Sequence, residues 1–173
     1  MWPLVESGRA MDTVWKIAHA PGVAGIQFGA ADYSSDVRCE MTWEPLLYAR
    51  SRITAACGAA KIGALDVPHV DIQDMEALRA STIRVRALGF TGRSSIHPSH
   101  VATINETFSP TPNEVEHARA VVDAYENARG GATTLKGTLV ERPQLIAALR
   151  LLERAGFRSQ VAGARDFRTP DPK

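Results

Sequence analysis

The sequence lacks the features that mark secreted, membrane-spanning and nucleic-acid-binding proteins. Its only two cysteines, Cys39 and Cys57, fit neither a metal-binding spacing nor a disulfide framework, so both are predicted to be buried or half-buried thiols. No apolar run approaches the roughly 20 residues that span a bilayer, and no signal-peptide pattern is seen. The formal net charge of +1 gives no attraction to nucleic acid or to anionic membranes, so neither is an expected partner. The expected location is cytoplasmic.

The 173 residues, 45% of them hydrophobic and 23% charged, have the composition of a globular protein with a real core. In the first part of the chain, short apolar runs alternate with helical patterns. The predicted strands cover residues 2–5, 23–28, 62–67 and 90–96. The predicted helices cover residues 9–20, 44–60 and 74–88, and a loop is expected around residues 34–36.

This alternation predicts an α/β fold, with a parallel sheet covered by helices. Two architectures fit it, a doubly wound open sheet and a (β/α)8 barrel. No strand is followed by a Gly-rich nucleotide-binding pattern, which weakens the nucleotide-binding version of the open sheet.

After residue 97 the pattern changes to helices. Three are predicted, at residues 98–107, 113–128 and 143–155, with a short hairpin at residues 133–140 turning at Lys136-Gly137. The predicted organisation is a partial barrel at residues 1–107 and a helical extension at residues 108–157. Residues 158–173, which are polar and contain proline, are expected to be a disordered tail.

Acidic residues follow the predicted strands, where functional groups of βα proteins collect. Glu6 ends the first strand and Asp32 the second, while Asp66 and Asp71 lie at and beyond the end of the third. Carboxylates on consecutive strand ends can converge, and two of them with waters and a substrate oxygen commonly hold Mg²⁺. The alternative is that each is a solvated loop carboxylate or a helix cap, and Asp32 fits a cap well.

Four other charged or titratable residues have a structural or a functional interpretation. His97 follows the fourth strand, either as a ligand or acid–base group or as a packed histidine. Arg50 and Arg52 lie in a long helix, where a solvated face or local pairing is expected. Glu141, on the residue pattern alone, is a carboxylate at a helix N-terminus.

Five segments, in this order, resemble motifs of the citrate lyase β-subunit and malyl-CoA lyase family, within the HpcH/HpaI aldolase superfamily. They are Leu4-Val5-Glu6-Ser7-Gly8-Arg9, Phe28-Gly29-Ala30-Ala31-Asp32-Tyr33, Tyr48-Ala49-Arg50-Ser51-Arg52-Ile53, Asp66-Val67-Pro68-His69-Val70-Asp71-Ile72 and residues 89–100. The resemblance runs from about residue 2 to about residue 155.

The resemblance implies the C-terminal half of a (β/α)8 TIM barrel, strands five to eight, followed by C-terminal helices, in a homo-oligomer of three or six subunits. It implies that Glu6 and Asp32 hold Mg²⁺, which acts as a Lewis acid. The implied activity is reversible carbon–carbon cleavage of a CoA ester such as malyl-CoA, citramalyl-CoA or citryl-CoA.

The chain departs from the family pattern in three ways. The first four strands, with the arginine that grips the substrate carboxylate, are absent, so no substrate-binding residue is assigned and the chain is expected to be inactive alone. Glu141 stands where the family has an Asp that transfers protons, and its extra methylene can misplace that carboxylate. Ala31 stands where many relatives have a Glu.

These departures leave alternatives open. The chain is a fragment or mis-started reading frame, a relic, or a half that pairs with another half. In function, the alternatives to a CoA-ester lyase are a non-catalytic interaction protein and an aldolase acting on free 2-oxo acids.

Overall fold

A computed structural model describes residues 1–157 of the chain, and the prediction made for residues 158–173 lies outside them. The chain divides into two compact units, residues 1–108 and a second unit that begins at Ser109. Each unit has its own apolar core. No helix between residues 1 and 157 combines the length and apolar character needed to cross a membrane.

The first unit is built on a four-stranded parallel sheet. Its strands are β1 (Leu4–Val5), β2 (Gly25–Phe28), β3 (Gly63–Asp66) and β4 (Gly92–Arg93), hydrogen-bonded in the order β1-β2-β3-β4. This sequential order is that of a barrel, because a doubly wound sheet reverses its strand order at a switch point. The predicted α/β fold, four βα units of a TIM barrel followed by C-terminal helices, is confirmed.

Six helices belong to the first unit. They are α1 (Gly8–Asp12), α2 (Val14–Ala18), α3 (Ala30–Val37), α4 (Trp43–Ala60), α5 (Met75–Ala87) and α6 (Ser99–Phe108). The single helix predicted at residues 9–20 was wrong, because the chain leaves helical geometry at Thr13, whose hydroxyl bonds the carbonyls of Arg9 and Ala10. The loop predicted around residues 34–36 was also wrong, because α3 runs through it.

The two faces of the sheet have different surroundings. Val5, Ile26, Phe28 and Ala64 alternate along the strands and are buried beneath the helices. The intervening positions point to the other face, where Leu4 is 47% exposed. Because side chains alternate between the two faces, the position of a residue along its strand decides whether its side chain enters the helix-covered core or points to the opposite face.

In the described part of the second unit, up to residue 157, two helices pack against a hairpin. Its elements are α7 (Pro112–Asn127), β5 (Thr133–Leu135), β6 (Thr138–Val140) and α8 (Arg142–Arg154). The predicted hairpin turns at Lys136 and Gly137, both with positive φ, as a tight two-residue turn requires. Val121 and Leu149 lie in its core.

Candidate metal centre at the carboxyl ends of the strands

Glu6 lies at the carboxyl end of β1, on the sheet face opposite the helices. Val5 pairs with Phe28, and the Gly29 N–H donates to the Val5 carbonyl over 2.9 Å. Glu6 therefore sits beside Gly29. A Cβ added at Gly29 would lie 2.7 Å from the Glu6 Cβ and 3.1 Å from Glu6 Oε2, so only glycine leaves room for this side chain.

Asp32 lies in the first turn of α3, which starts directly after Gly29. The helix cap predicted as the alternative role of Asp32 is wrong, because Gly29 holds the N-cap position and Asp32 is the third helical residue. A carboxylate in the first turn of a helix is stabilised by the helix dipole. Asp32 is exposed. The two carboxylates thus follow neighbouring strands at one edge of the sheet.

The two carboxylates have the properties of ligands for a hard cation. Among residues 1–157, neither has a hydrogen-bond or ion-pair partner. No group of three or more His, Cys, Asp and Glu side chains in that range is arranged to hold a metal ion. Mg²⁺ is commonly bound by one or two carboxylates with waters and substrate oxygens, so this pair, with the space left by Gly29, fits it.

Asp66 does not join Glu6, because it points to the opposite face of the sheet. It is fully buried and accepts hydrogen bonds from Arg50 Nε over 3.0 and 3.2 Å. The solvated face or local pairing predicted for Arg50 was wrong. Its guanidinium is buried between the rings of Phe28 and Trp43, at 5.9 and 4.8 Å from their centroids.

A second cation, Arg93 on β4, was missed by sequence reasoning. Its Nε donates to the Val67 carbonyl over 2.9 Å, and its Nη1 donates to the hydroxyls of Ser81 and Thr82 over 2.7 and 3.0 Å. Burial lowers the pKa of Arg93, the Asp66 carboxylate opposes that shift, and Arg50 adds to it. The available signal was the position of Arg93 inside the predicted fourth strand, residues 90–96, because a charged side chain within a strand of a covered sheet needs a polar partner.

Asp71 has a local structural role. Its Oδ1 accepts the backbone N–H groups of Gln73 and Asp74 over 2.9 and 3.2 Å, which closes the loop before α5. These hydrogen bonds hold the pKa of Asp71 below its usual range.

Three histidines meet where the loops after β3 and β4 approach each other. His100 is fully buried and donates from Nε2 to the Ile72 carbonyl over 3.2 Å. The rings of His69 and His97 each lie 6.1 Å from it. Burial, Arg93 and His100 lower the pKa of His69. His97 is exposed and its Nδ1 is hydrogen-bonded to Ser99 Oγ over 2.7 Å, so it is not the packed histidine of the alternative prediction.

Glu141 lies at the N-cap position of α8, in the second unit. This is the position at a helix N-terminus that the residue pattern predicted. The Glu141 N–H donates to Gln144 Oε1 over 3.1 Å, and the residue is exposed. Its role in proton transfer remains a prediction.

Residues 1–98 match the family model of HpcH/HpaI aldolase/citrate lyase. The chain is 38% identical to a citrate lyase subunit beta-like protein of Deinococcus radiodurans, over 86% of this chain and 54% of that protein. It is 33% identical to an L-malyl-CoA/beta-methylmalyl-CoA lyase of Rhodobacter capsulatus, over 87% of this chain and 53% of that protein. The chain thus spans about half the length of these relatives.

Solved structures agree with these matches. The CitE protein of Mycobacterium tuberculosis, in complex with magnesium, acetoacetate and coenzyme A, superposes with a TM-score of 0.78 at 30% identity, over 89% of this chain and 60% of that one. A citrate lyase from Burkholderia xenovorans superposes with a TM-score of 0.81 at 26% identity, over 90% of this chain and 52% of that one.

Proposed function

Because the chain belongs to the HpcH/HpaI aldolase/citrate lyase family, we propose that it carries the magnesium-binding carboxylates of a lyase that cleaves a carbon–carbon bond in a CoA ester. Glu6 and Asp32 are the two ligands. The observation that carries this proposal is the approach of Glu6 to Gly29, which brings its carboxylate to the start of the helix that holds Asp32.

The chemistry requires that negative charge on a substrate oxygen be stabilised while the carbon–carbon bond breaks. Bound Mg²⁺ supplies this as a Lewis acid. Glu6 and Asp32 hold the ion at the carboxyl edge of the sheet, where TIM-barrel enzymes bind their substrates. The exposed carboxylate of Glu141 is the candidate for moving a proton, a role that requires hydrogen-bond reach of the reacting group.

A CoA ester is the favoured substrate class over a free 2-oxo acid. The relative from Rhodobacter capsulatus is named as a lyase of CoA esters, and the related Mycobacterium tuberculosis structure holds coenzyme A. The segment Gly137-Thr138-Leu139-Val140-Glu141 also resembles the CoA-ester branch of the family. The acyl group and the residues that bind it are not assigned.

The proposed ligands are tested by metal affinity. We expect Mn²⁺, used as a spectroscopic substitute for Mg²⁺, to bind the 173-residue chain, and Glu6→Gln or Asp32→Asn to weaken binding at least about tenfold, because each removes a charged ligand. Electron paramagnetic resonance of free Mn²⁺ measures the affinity. Glu76→Gln is the matched control, since Glu76 is an exposed acidic residue in the first turn of α5.

Equal affinity in the wild type, Glu6→Gln and Asp32→Asn would contradict the assignment of the ligands. The substrate class is tested separately by incubating the chain with malyl-CoA, citramalyl-CoA or citryl-CoA and measuring the 2-oxo acid released. We expect no turnover by this chain alone and cleavage of a CoA ester once the first half of a relative's barrel is supplied. Cleavage of a free 2-oxo acid in preference to the CoA esters in that complemented protein would favour the aldolase alternative.

A further inference from the structure

The short helix α1 connects directly to the proposed metal ligand Glu6. It begins at Gly8, two residues after Glu6, and ends at Asp12. A helix of five residues is not stable by itself, because helix nucleation costs more than so few hydrogen bonds return. The position of the Glu6 segment therefore depends on the groups that hold α1 in place.

Asp36 holds the N-terminal end of α1. The Gly8 N–H, one of the donors that the helix leaves without an internal partner, donates to Asp36 Oδ2 over 2.7 Å. A Cβ added at Gly8 would lie 3.2 Å from Val37 Cγ1 and 3.5 Å from Asp36 Oδ2, so the backbone of α1 approaches α3 closely here.

Arg52 holds the C-terminal end of α1. From α4, its Nε donates to the Met11 carbonyl over 2.9 Å and its Nη2 donates to the Asp12 carbonyl over 3.0 Å. Its Nη1 is bonded to the Tyr48 hydroxyl over 3.1 Å, which fixes the guanidinium in this orientation.

The negative charge of Asp36 and the positive charge of Arg52 lie at the ends of α1 where the helix dipole favours them. A carboxylate is favourable at a helix N-terminus and a cation at a C-terminus. Asp36 lies near the C-terminus of its own helix α3, where a negative charge is unfavourable, so its favourable contact is with α1. Asp36 also follows Asp32 by one helical turn. Helix α3 therefore carries the proposed metal ligand Asp32 and also Asp36, which contacts the helix that follows Glu6.

We propose that Asp36 and Arg52 are positioning residues, which fix α1 and thereby hold the Glu6 carboxylate in register with Asp32 for metal binding. This inference rests on the proposed metal site. Neither side chain is itself a ligand in this arrangement. Residues that orient metal ligands through hydrogen bonds commonly change metal affinity about 10- to 100-fold when they are replaced.

The experiment compares Mn²⁺ affinity, measured by electron paramagnetic resonance, in variants of the 173-residue chain. Asp36→Ala is expected to weaken binding about tenfold. Asp36→Asn should keep most of the affinity, because its amide oxygen still accepts from Gly8. The matched control is Asp74→Ala, which removes an equal charge and a similar hydrogen bond, from the Ala77 N–H to Asp74 Oδ1 at the start of α5.

Each outcome separates one cause from another. An equal loss of Mn²⁺ affinity in Asp36→Ala and Asp36→Asn would assign the effect to the lost charge and overturn the positioning role. An equal loss of affinity in Asp74→Ala would do the same. Unchanged affinity in Asp36→Ala, with loss in Glu6→Gln, overturns this inference and leaves the metal site intact. No loss in Glu6→Gln refutes the metal site itself. Arg52→Ala should weaken Mn²⁺ binding like Asp36→Ala, and unchanged binding would remove Arg52 from the proposal.

Amide hydrogen exchange at Gly8 gives a second readout, which does not depend on the metal. The Gly8 amide should exchange faster in Asp36→Ala than in the wild type, because its acceptor is lost. Exchange at Gly8 should be unchanged in Asp74→Ala. Slow exchange at Gly8 in Asp36→Ala would show that Asp36 does not hold α1.

Discussion

Burial decides the chemistry of the two cysteines. Both are free thiols; Cys57 in α4 is 2% exposed, and Cys39 is half-buried, as the sequence predicted. Removal of Cys57 from water disfavours its thiolate and raises its pKa to about 11. The thiolate is the reactive form of cysteine, so Cys57 is protected both by its burial and by its raised pKa.

We expect one thiol of the native chain, Cys39, to react with a disulfide reagent at pH 8, and both to react in denaturant. Counting thiols by absorbance tests this expectation, and the Cys39→Ser variant should show almost no fast reaction in the native state. Rapid modification of Cys57 in that variant would contradict the described burial.

Single residues also show where sequence reasoning stopped. Glu6 and Asp32 could be selected because Glu6 directly follows the first predicted strand and Asp32 lies shortly beyond the second, and strand ends of parallel sheets share one edge. Arg50 could not be placed, because helical spacing does not reveal that Asp66 points into the same core. A buried carboxylate and a buried cation each look like surface residues until their partner is known.

The ion pair between Arg50 and Asp66 joins two elements, α4 and β3, inside the core. Removing one partner leaves the other charge buried and uncompensated, which costs about 3–5 kcal/mol, whereas replacing both with apolar residues costs much less. The guanidinium also keeps contacts with Phe28 and Trp43 that an apolar side chain retains in part.

Asp66→Ala is therefore expected to lower the free energy of unfolding by about 3–5 kcal/mol, measured by urea denaturation. The double variant Arg50→Met with Asp66→Leu should be more stable than Asp66→Ala. Asp74→Ala, which removes an exposed helix cap, should cost about 1 kcal/mol. A double variant as unstable as the single one would argue against an uncompensated charge as the cause.

The bounds of a helix could be predicted where its apolar periodicity is continuous. They could not be predicted where tertiary contacts determine where the helix begins or ends. The pattern of α4 gave its range to within one residue, Trp43–Ala60 against the predicted 44–60. The split between α1 and α2 was hidden, because apolar spacing continues across Thr13. A loop is predicted around residues 34–36 because Ser34 and Ser35 favour turns. In the structure these residues belong to α3, where Ser34 is buried and its hydroxyl donates to the Ala31 carbonyl over 3.0 Å.

At the scale of the whole molecule, the order of the strands identifies the fold. The alternation of side chains between the two faces of the sheet determines which residues can form the site. Four parallel strands in sequential order indicated a barrel, and the same alternation that buries Val5 sends Glu6 to the opposite face. This alternation also separates Glu6 from Asp66, which no motif spacing could show. What sequence could not supply is the tertiary contact that fixes each strand end.

A metal that binds only the folded state must stabilise the whole chain against unfolding. At a free Mg²⁺ concentration about 100 times the dissociation constant, the gain is about 2.7 kcal/mol. For a chain of this length, that corresponds to a rise in Tm of about 5–10 °C. We expect this rise in a circular-dichroism melt of the wild type and of Glu76→Gln, because the unfolded chain does not bring Glu6 and Asp32 together to bind the ion. At the same Mg²⁺ concentration, Glu6→Gln, with binding at least about tenfold weaker, should show at most about half of this rise. An equal rise for Glu6→Gln would show that Mg²⁺ acts at other carboxylates, and a flat, non-cooperative melt with and without Mg²⁺ would mean that residues outside this chain are needed to form the site.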